Sequence, residues 1–128
     1  MNIILDTHIF LWYITGSTSL TDNQASMIRD WNNDVYLSVA SVWEIIVKNQ
    51  LGKLPLPEPP EEFIPKQRLL HQISSLSLEE GSVAQLAQLQ SIHKDPFDRI
   101  IICQAIHKDL TILTVDSIFR LYPVKIIS

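Results

Sequence analysis

The chain has 128 residues and a formal net charge of −4, a length that suits a single domain with one core, so we expect one domain over residues 1–128. Its hydrophobic fraction of 46% and only three glycines exclude a disordered or fibrous protein. The apolar runs are too short for a membrane span, and a lone Cys103 excludes an internal disulfide. The amino terminus lacks secretory features, and together these features predict a cytoplasmic protein.

Apolar patterns, capping residues and prolines divide the chain into strands and helices. In chain order, the predicted elements are a strand at 2–5, helices at 9–14 and 21–31, a strand at 34–39, helices at 41–52 and 61–71, a strand at 73–76, helices at 77–90 and from 95 onward, and a strand at 111–115. The proline-rich stretch 55–60 predicts a surface connection. Continuous apolar strands favour a parallel sheet with helices on both faces, so we expect a three-layer α/β/α fold with a central parallel sheet.

Two of the predicted strands stop at an aspartate. The first apolar run ends at Asp6 and the last ends at Asp116. Ligands of parallel α/β sheets gather at the carboxyl ends of the strands. We therefore expect both aspartates at a binding edge.

Each candidate acid also has an ordinary structural explanation. Ser41-x-x-Glu44 has the spacing of a capping box, in which Glu44 would bond back to the Ser41 amide. Asp95 has the position of a helix N-cap, with Asp98 in the first turn of that helix. Asp116 has the position of a cap for the turn that follows it. Considered one at a time, Glu44 and Asp95 favour a structural role. The positions of Asp6, Asp98 and Asp116 are compatible with either a structural role or a role in binding a ligand.

Taken together, the acids favour a metal site. Two of them end parallel strands, and two begin helices that start from the same edge of the sheet. Crowded carboxylates are stable at neutral pH only with a cation among them. Oxygen ligands indicate Mg²⁺ or Mn²⁺, since zinc sites are richer in His and Cys.

The net charge is compatible with an RNA partner but does not argue for one. Nucleic-acid binding depends on Lys and Arg, which are in the minority here. If Asp6, Glu44, Asp95, Asp98 and Asp116 share one metal-neutralised pocket, nine acids and ten bases remain elsewhere. The remaining surface is then nearly neutral.

The other chemically active side chains have simpler expected roles. The four histidines lack the spacing and the Cys partners of common zinc motifs. His93 is the nearest of them to the acids, and we expect it to be an ordinary polar residue ahead of a helix. Cys103 is expected in the core. Trp12, Trp31 and Trp43 are expected to pack inside the protein, although any that are exposed would suit a partner interface.

Four segments of the chain resemble the PIN-domain ribonucleases, and within them the VapC-like toxins of bacterial toxin–antitoxin pairs. The matching segments are ILDTHIFLW, SVASVWEIIVKNQLGKL, HKDPFDRIIICQA and TILTVDSIF. They follow one another in the family's order over most of the chain. The resemblance implies a PIN-like domain and metal-assisted hydrolysis of RNA phosphodiester bonds by an activated water.

The resemblance also implies roles for individual residues. It assigns the family's acidic quartet to Asp6, Glu44, Asp98 and Asp116. Asp95 belongs to the DPFDR segment and stays an additional candidate ligand. Thr7 and Thr114 would orient a carboxylate or a water, and Arg99 would contact either a phosphate or a neighbouring acid.

The implied partners are an RNA substrate, an antitoxin that covers the acidic groove and a second copy of the chain. An apolar groove lined by Phe10, Trp12 and Tyr13 is the expected antitoxin contact. Two alternatives stay open. One is an inactive PIN-like module that binds only a protein. The other is a phosphatase of similar design, although Asp6-Thr7-His8 lacks the second acid that an aspartyl-phosphate phosphatase shows.

Overall fold

A computed structural model describes all residues from 1 to 128, and its centre is a five-stranded sheet in which every strand pair is parallel. The strands lie in the order β3-β2-β1-β4-β5. Their bounds are β1 Asn2–Leu5, β2 Asp34–Ser38, β3 Ser74–Leu76, β4 Thr111–Leu113 and β5 Lys125–Ile127. The parallel sheet confirms the sequence prediction. Strand β5 was not predicted, because three partly exposed residues give too short a pattern.

Six α-helices connect the strands. They are α1 Thr7–Thr15, α2 Asp22–Arg29, α3 Val39–Gln50, α4 Pro60–His71, α5 Glu80–Ala84 and α6 Pro96–Lys108. Short 3₁₀ helices cover Gln85–Ala87 and Ser117–Leu121. Helix α2 begins with a capping box, in which Thr21 and Gln24 each accept the other's backbone N–H.

The sheet separates two hydrophobic cores. Ile3 and Leu5 of β1 pack on one face with residues from α1 to α4, whereas Ile4 packs on the other face with residues from α6. Alternate residues of a strand point to opposite faces, so one buried strand serves both cores. Each fully buried isoleucine contributes about 1.5–3 kcal/mol of burial free energy. The protein is therefore a three-layer α/β/α structure, as predicted.

Helix α3 begins earlier than the sequence suggested. Its N-cap is Ser38, whose Oγ accepts the N–H of Ala40 at 3.0 Å. The predicted cap, Ser41, lies inside the first turn and is fully buried. The predicted capping box of Ser41 and Glu44 is therefore wrong. The helix ends at Gln50, two residues before the predicted end, and Gly52 follows it with a φ of 72°.

The helix predicted over 77–90 is also shorter than expected. Helix α5 ends after five residues and continues as a 3₁₀ turn. Val83 and Ala84 on this helix are exposed. Ser82 is the buried residue of this helix, and its Oγ lies 2.8 Å from His107 Nδ1 on α6.

The aromatic residues near the surface differ from the prediction. Trp31 is 94% exposed and Trp43 is 60% exposed, so neither is a core residue. Phe10 is fully buried, so it cannot line the expected partner groove of Phe10, Trp12 and Tyr13. Trp12 and Tyr13 are partly buried against the core. None of the helices combines the length and the apolar character that crossing a bilayer requires.

Candidate metal centre

The central strands bring the predicted site to one edge of the sheet. Asp6 follows β1 directly, and Asp116 lies three residues beyond the end of β4. Because β1 and β4 are neighbours in register, Leu5 pairs with Leu113 and the Asp6 N–H donates to the Leu113 carbonyl at 3.0 Å. Strand order reverses between these two strands, which is where open parallel sheets bind ligands.

Two helices add their acids at the same edge. Glu44 lies on α3 and is only 2% exposed, while Asp98 is the third residue of α6. Burial, together with the charges of Asp6, Asp95 and Glu44, raises the pKa of Asp98 from 3.8 to about 7, although the hydrogen bond with His93 lowers it. Burial is also the largest cause of the raised pKa of Asp6, with Glu44 contributing. The carboxyl groups of Asp6, Glu44, Asp95 and Asp98 therefore influence one another electrostatically.

Asp116 joins the cluster from the outer side. Ligand atoms of Asp116, Asp98 and His93 all lie within 4.8 Å of one another. Asp116 is exposed, and its Oδ1 accepts the N–H of Ile118 at 3.0 Å as the N-cap of the 3₁₀ helix. The predicted cap role and the predicted place near the other acids are therefore both present in one side chain.

The carboxylate of Asp6 is held by Thr114. The Thr114 hydroxyl donates to Asp6 Oδ2 at 2.7 Å, and both side chains are buried. This contact confirms that Thr114 orients a carboxylate. The other Asp6 oxygen, Oδ1, carries no side-chain hydrogen bond.

The carboxylate of Glu44 is held on both sides. The hydroxyl of Thr7 donates to Oε1 at 2.8 Å and lies equally close to Ser41 Oγ. Lys48 Nζ donates to Oε2 at 2.5 Å. The Glu44 hydrogen bond raises the pKa of Lys48, and the charges of Asp95 and Asp98 add to that effect. Glu44 is therefore a member of the acid cluster and not a helix cap.

Asp98 is oriented by His93, a contact that sequence reasoning missed. His93 Nε2 and Asp98 Oδ2 lie 2.7 Å apart, and the imidazole packs edge-on against Phe119. The Tyr122 hydroxyl accepts the N–H of His93 at 2.7 Å and donates to the carbonyl of Gln90 at 2.9 Å. Tyr122 thereby fixes the loop before α6. A lone histidine ahead of a helix gives no signal of such a contact.

Asp95 and Arg99 have mainly structural contacts. Oδ1 of Asp95 accepts the N–H groups of Phe97 and Asp98, at 2.9 and 3.3 Å, which confirms the predicted N-cap of α6. Arg99 donates to the carbonyls of Gln90 and His93. Its expected salt bridge with an acid is absent, since all five ion pairs of the protein involve other residues.

The donor set suits a hard divalent cation. Asp98 and Asp116 each have one oxygen fixed by the protein and another without a hydrogen bond, and Asp6 has one oxygen fixed by Thr114 and no other side-chain hydrogen bond. Carboxylate oxygens are the ligands that Mg²⁺ and Mn²⁺ prefer. A cation among them would also relieve the mutual repulsion that raises the pKa of Asp98.

Fold and site together define a three-layer α/β protein with a carboxylate cluster at the carboxyl edge of its parallel sheet. A comparison with protein families matches residues 3–125 to the PIN domain. The chain therefore belongs to the PIN domain family, as the sequence resemblance predicted.

Several characterised proteins are similar to the chain. Ribonuclease VapC16 of Mycobacterium tuberculosis is 37% identical over 59 residues, which cover 46% of this chain and 42% of that protein. The match thus spans less than half of the relative's length. The structure of VapBC2 from Rickettsia felis, bound to a promoter DNA fragment, has a TM-score of 0.75 at 15% identity and covers 99% of this chain and 98% of the other. VapBC-1 from Haemophilus influenzae has a TM-score of 0.66 at 18% identity, with coverages of 100% and 98%.

Proposed function

We propose that the protein is a metal-dependent endoribonuclease that acts as the toxin of a toxin–antitoxin pair. The observation that carries the proposal is the convergence of Asp6, Glu44, Asp98 and Asp116 at one edge of the sheet. Membership of the PIN domain family and the local similarity to the ribonuclease VapC16 support it.

In this proposal, the four acids hold Mg²⁺ or Mn²⁺, and Asp95 adds negative charge beside them. A divalent ion supplies a more acidic water as the nucleophile and neutralises charge on the leaving oxygen of an RNA phosphodiester. The raised pKa of Asp98 favours its protonated form, so a proton and the metal ion compete for that carboxyl group.

The chain itself fixes the geometry of the carboxylates. Thr114 holds Asp6, Thr7 holds Glu44 and His93 holds Asp98, each through one oxygen. These contacts limit the directions in which each remaining oxygen points. Preorganisation of this kind lowers the cost of assembling a charged site.

We also propose the partners of a toxin. The structural neighbours are VapBC complexes, which supports an antitoxin partner that binds over the acidic edge. We propose a homodimer as well, and a cytoplasmic location where the free Cys103 stays reduced and RNA is available.

Cleavage of defined RNAs by the purified chain tests the function. We expect cleavage with Mg²⁺ or Mn²⁺, none with chelator, and none from Asp6→Asn or Asp116→Ala. Asp22→Asn is the matched control, because Asp22 is an exposed residue at the start of α2. Cleavage retained by Asp6→Asn would exclude its catalytic role. A wild-type chain that binds neither metal in calorimetry and cleaves no RNA would instead be the inactive binding module.

Induction of the gene alone and together with a neighbouring gene that encodes a candidate antitoxin tests the toxin role. We expect growth arrest from the wild-type chain alone, relief by the antitoxin, and normal growth with Asp6→Asn at equal protein level. Growth arrest by Asp6→Asn would separate toxicity from the acid cluster.

A further inference from the structure

Glu44 differs from the other acids of the cluster in how its oxygens are used. Asp98 and Asp116 each keep one oxygen without a hydrogen bond, and Asp6 keeps one oxygen without a side-chain hydrogen bond. Both oxygens of Glu44 are taken, Oε1 by Thr7 and Oε2 by Lys48. A divalent ion that uses Glu44 must therefore share or replace one of these contacts.

The two contacts are not equally easy to replace. Thr7 is buried and lies at the start of α1, where its backbone is fixed by the strand before it. Lys48 lies one helical turn beyond Glu44 on α3, and its side chain is 39% exposed while that of Glu44 is 2% exposed. A lysine ammonium on a flexible four-carbon stem moves into solvent at little cost.

Charge also favours replacement of Lys48, rather than Thr7, by the divalent ion. A buried carboxylate needs a cationic or donor partner, and Lys48 provides one at 2.5 Å from Oε2. The charges of Asp95 and Asp98 also attract this ammonium toward the cluster. A divalent ion on Oε2 would lie close to the ammonium, and the two positive charges would repel each other.

We propose that Lys48 is a positioning residue that competes with the divalent ion for Glu44 Oε2. When the ion is absent, the ammonium is the cationic partner of the buried Glu44 carboxylate. When the ion binds, the ammonium leaves Oε2 and turns toward solvent at the rim of the site. This inference rests on the proposed metal site.

Nuclear magnetic resonance of the full chain observes the exchange directly. The Lys48 ¹⁵Nζ signal, assigned by its loss in Lys48→Met, and the Glu44 ¹³Cδ signal are followed as diamagnetic Mg²⁺ is added. We expect both signals to change with the same Mg²⁺ dependence. A Glu44 signal that changes while that of Lys48 stays constant would overturn the competition but leave the metal site intact. If neither signal changes, Glu44 is not a ligand, and both the ligand role and this inference fail.

Calorimetry with Mn²⁺ provides a second readout. We expect Lys48→Met to bind Mn²⁺ more tightly than the wild type, by on the order of tenfold. Lys48→Arg, which keeps the charge, should stay within about threefold of the wild type. Lys53→Met is the control for loss of an exposed lysine near the end of α3. Equal or weaker binding by Lys48→Met would overturn the proposal.

Unfolding of the same variants separates competition from a purely structural role. In chelator, Lys48→Met leaves Glu44 without its cation and should unfold at lower urea than the wild type. Saturating Mn²⁺ should stabilise Lys48→Met more than it stabilises the wild type. A loss of stability of the same size with and without Mn²⁺ would indicate a structural role and contradict the proposal.

Discussion

The hydroxyl of Thr114 donates a 2.7 Å hydrogen bond to Asp6 Oδ2, although the two residues are 108 positions apart in the chain. The same Oγ1 accepts the backbone N–H of Asp116 at 3.0 Å. One hydroxyl thus connects the end of β1 with the segment that carries another acid of the cluster. The geometry of the site consequently depends on the register between β1 and β4.

Thr114→Val should destabilise the protein without a large change in side-chain volume. It leaves the buried Asp6 oxygen and the Asp116 N–H without their partner, which costs about 1–3 kcal/mol of unfolding free energy. Urea unfolding measures this loss. Thr114→Ser keeps the hydroxyl and should stay closer to the wild type. Equal stability of Thr114→Val and the wild type would mean that water replaces the hydroxyl.

His93→Leu should weaken metal binding by removing the group that orients Asp98. Residues that orient a ligand typically contribute roughly 10–100-fold in metal affinity or activity. His93→Gln retains an N–H donor and should recover part of the affinity in Mn²⁺ calorimetry. His71→Leu is the control, because His71 contacts Tyr13 away from the acids. Normal Mn²⁺ affinity in His93→Leu would contradict the role of the 2.7 Å contact.

Variants of Asp95 should separate its helix cap from its charge. Asn is an N-cap about as good as Asp, so Asp95→Asn should keep the unfolding free energy, whereas Asp95→Ala should lose about 1 kcal/mol. Asp95→Asn also removes one of the charges that raise the pKa of Asp98, and its Mn²⁺ affinity should fall less than that of Asp98→Asn. Defects of equal size in the two variants would identify Asp95 as a ligand.

The metal-depleted chain should lose stability as the pH rises from about 4 to about 7. The pKa of Asp98 is raised from 3.8 to about 7, so the folded chain holds a proton in this range that the unfolded chain has released. The raised pKa of Asp6 acts in the same direction. Urea midpoints in chelator at pH 5 and pH 7.5 measure the change, and Asp98→Asn should show a smaller one. Parallel pH profiles for the two proteins would rule out Asp98 as the source.

The sequence predicted the acids because their signals are local. Asp6 ends an apolar strand, and Asp95 carries a capping pattern, so both positions follow from neighbouring residues. The contacts of Lys48 with Glu44 and of His93 with Asp98 differ in whether the sequence could predict them. Lys48 follows Glu44 at the spacing of a helical salt bridge and was recognisable in principle. His93 was not, because its place depends on Tyr122, which comes 29 residues later.

The sequence predictions were wrong at positions where the neighbouring residues alone do not decide the structure. Ser38 and Ser41 are both good N-caps, and only the end of β2 decides between them. Trp31 is large and apolar, yet it lies in the turn between α2 and β2, where its side chain is exposed. Strand β5 depends on pairing with β4 and has no strong pattern of its own.

The sequence separation of Asp6 and Thr114 also has a consequence for biosynthesis. A ribosome that has translated only the first hundred residues has produced Asp6, Glu44 and Asp98 but not the strand that fixes Asp6 or the segment with Asp116. An unfinished polypeptide therefore lacks a complete acid cluster. Under the proposed function, the nascent chain would therefore have no nuclease activity before residue 116 has been translated.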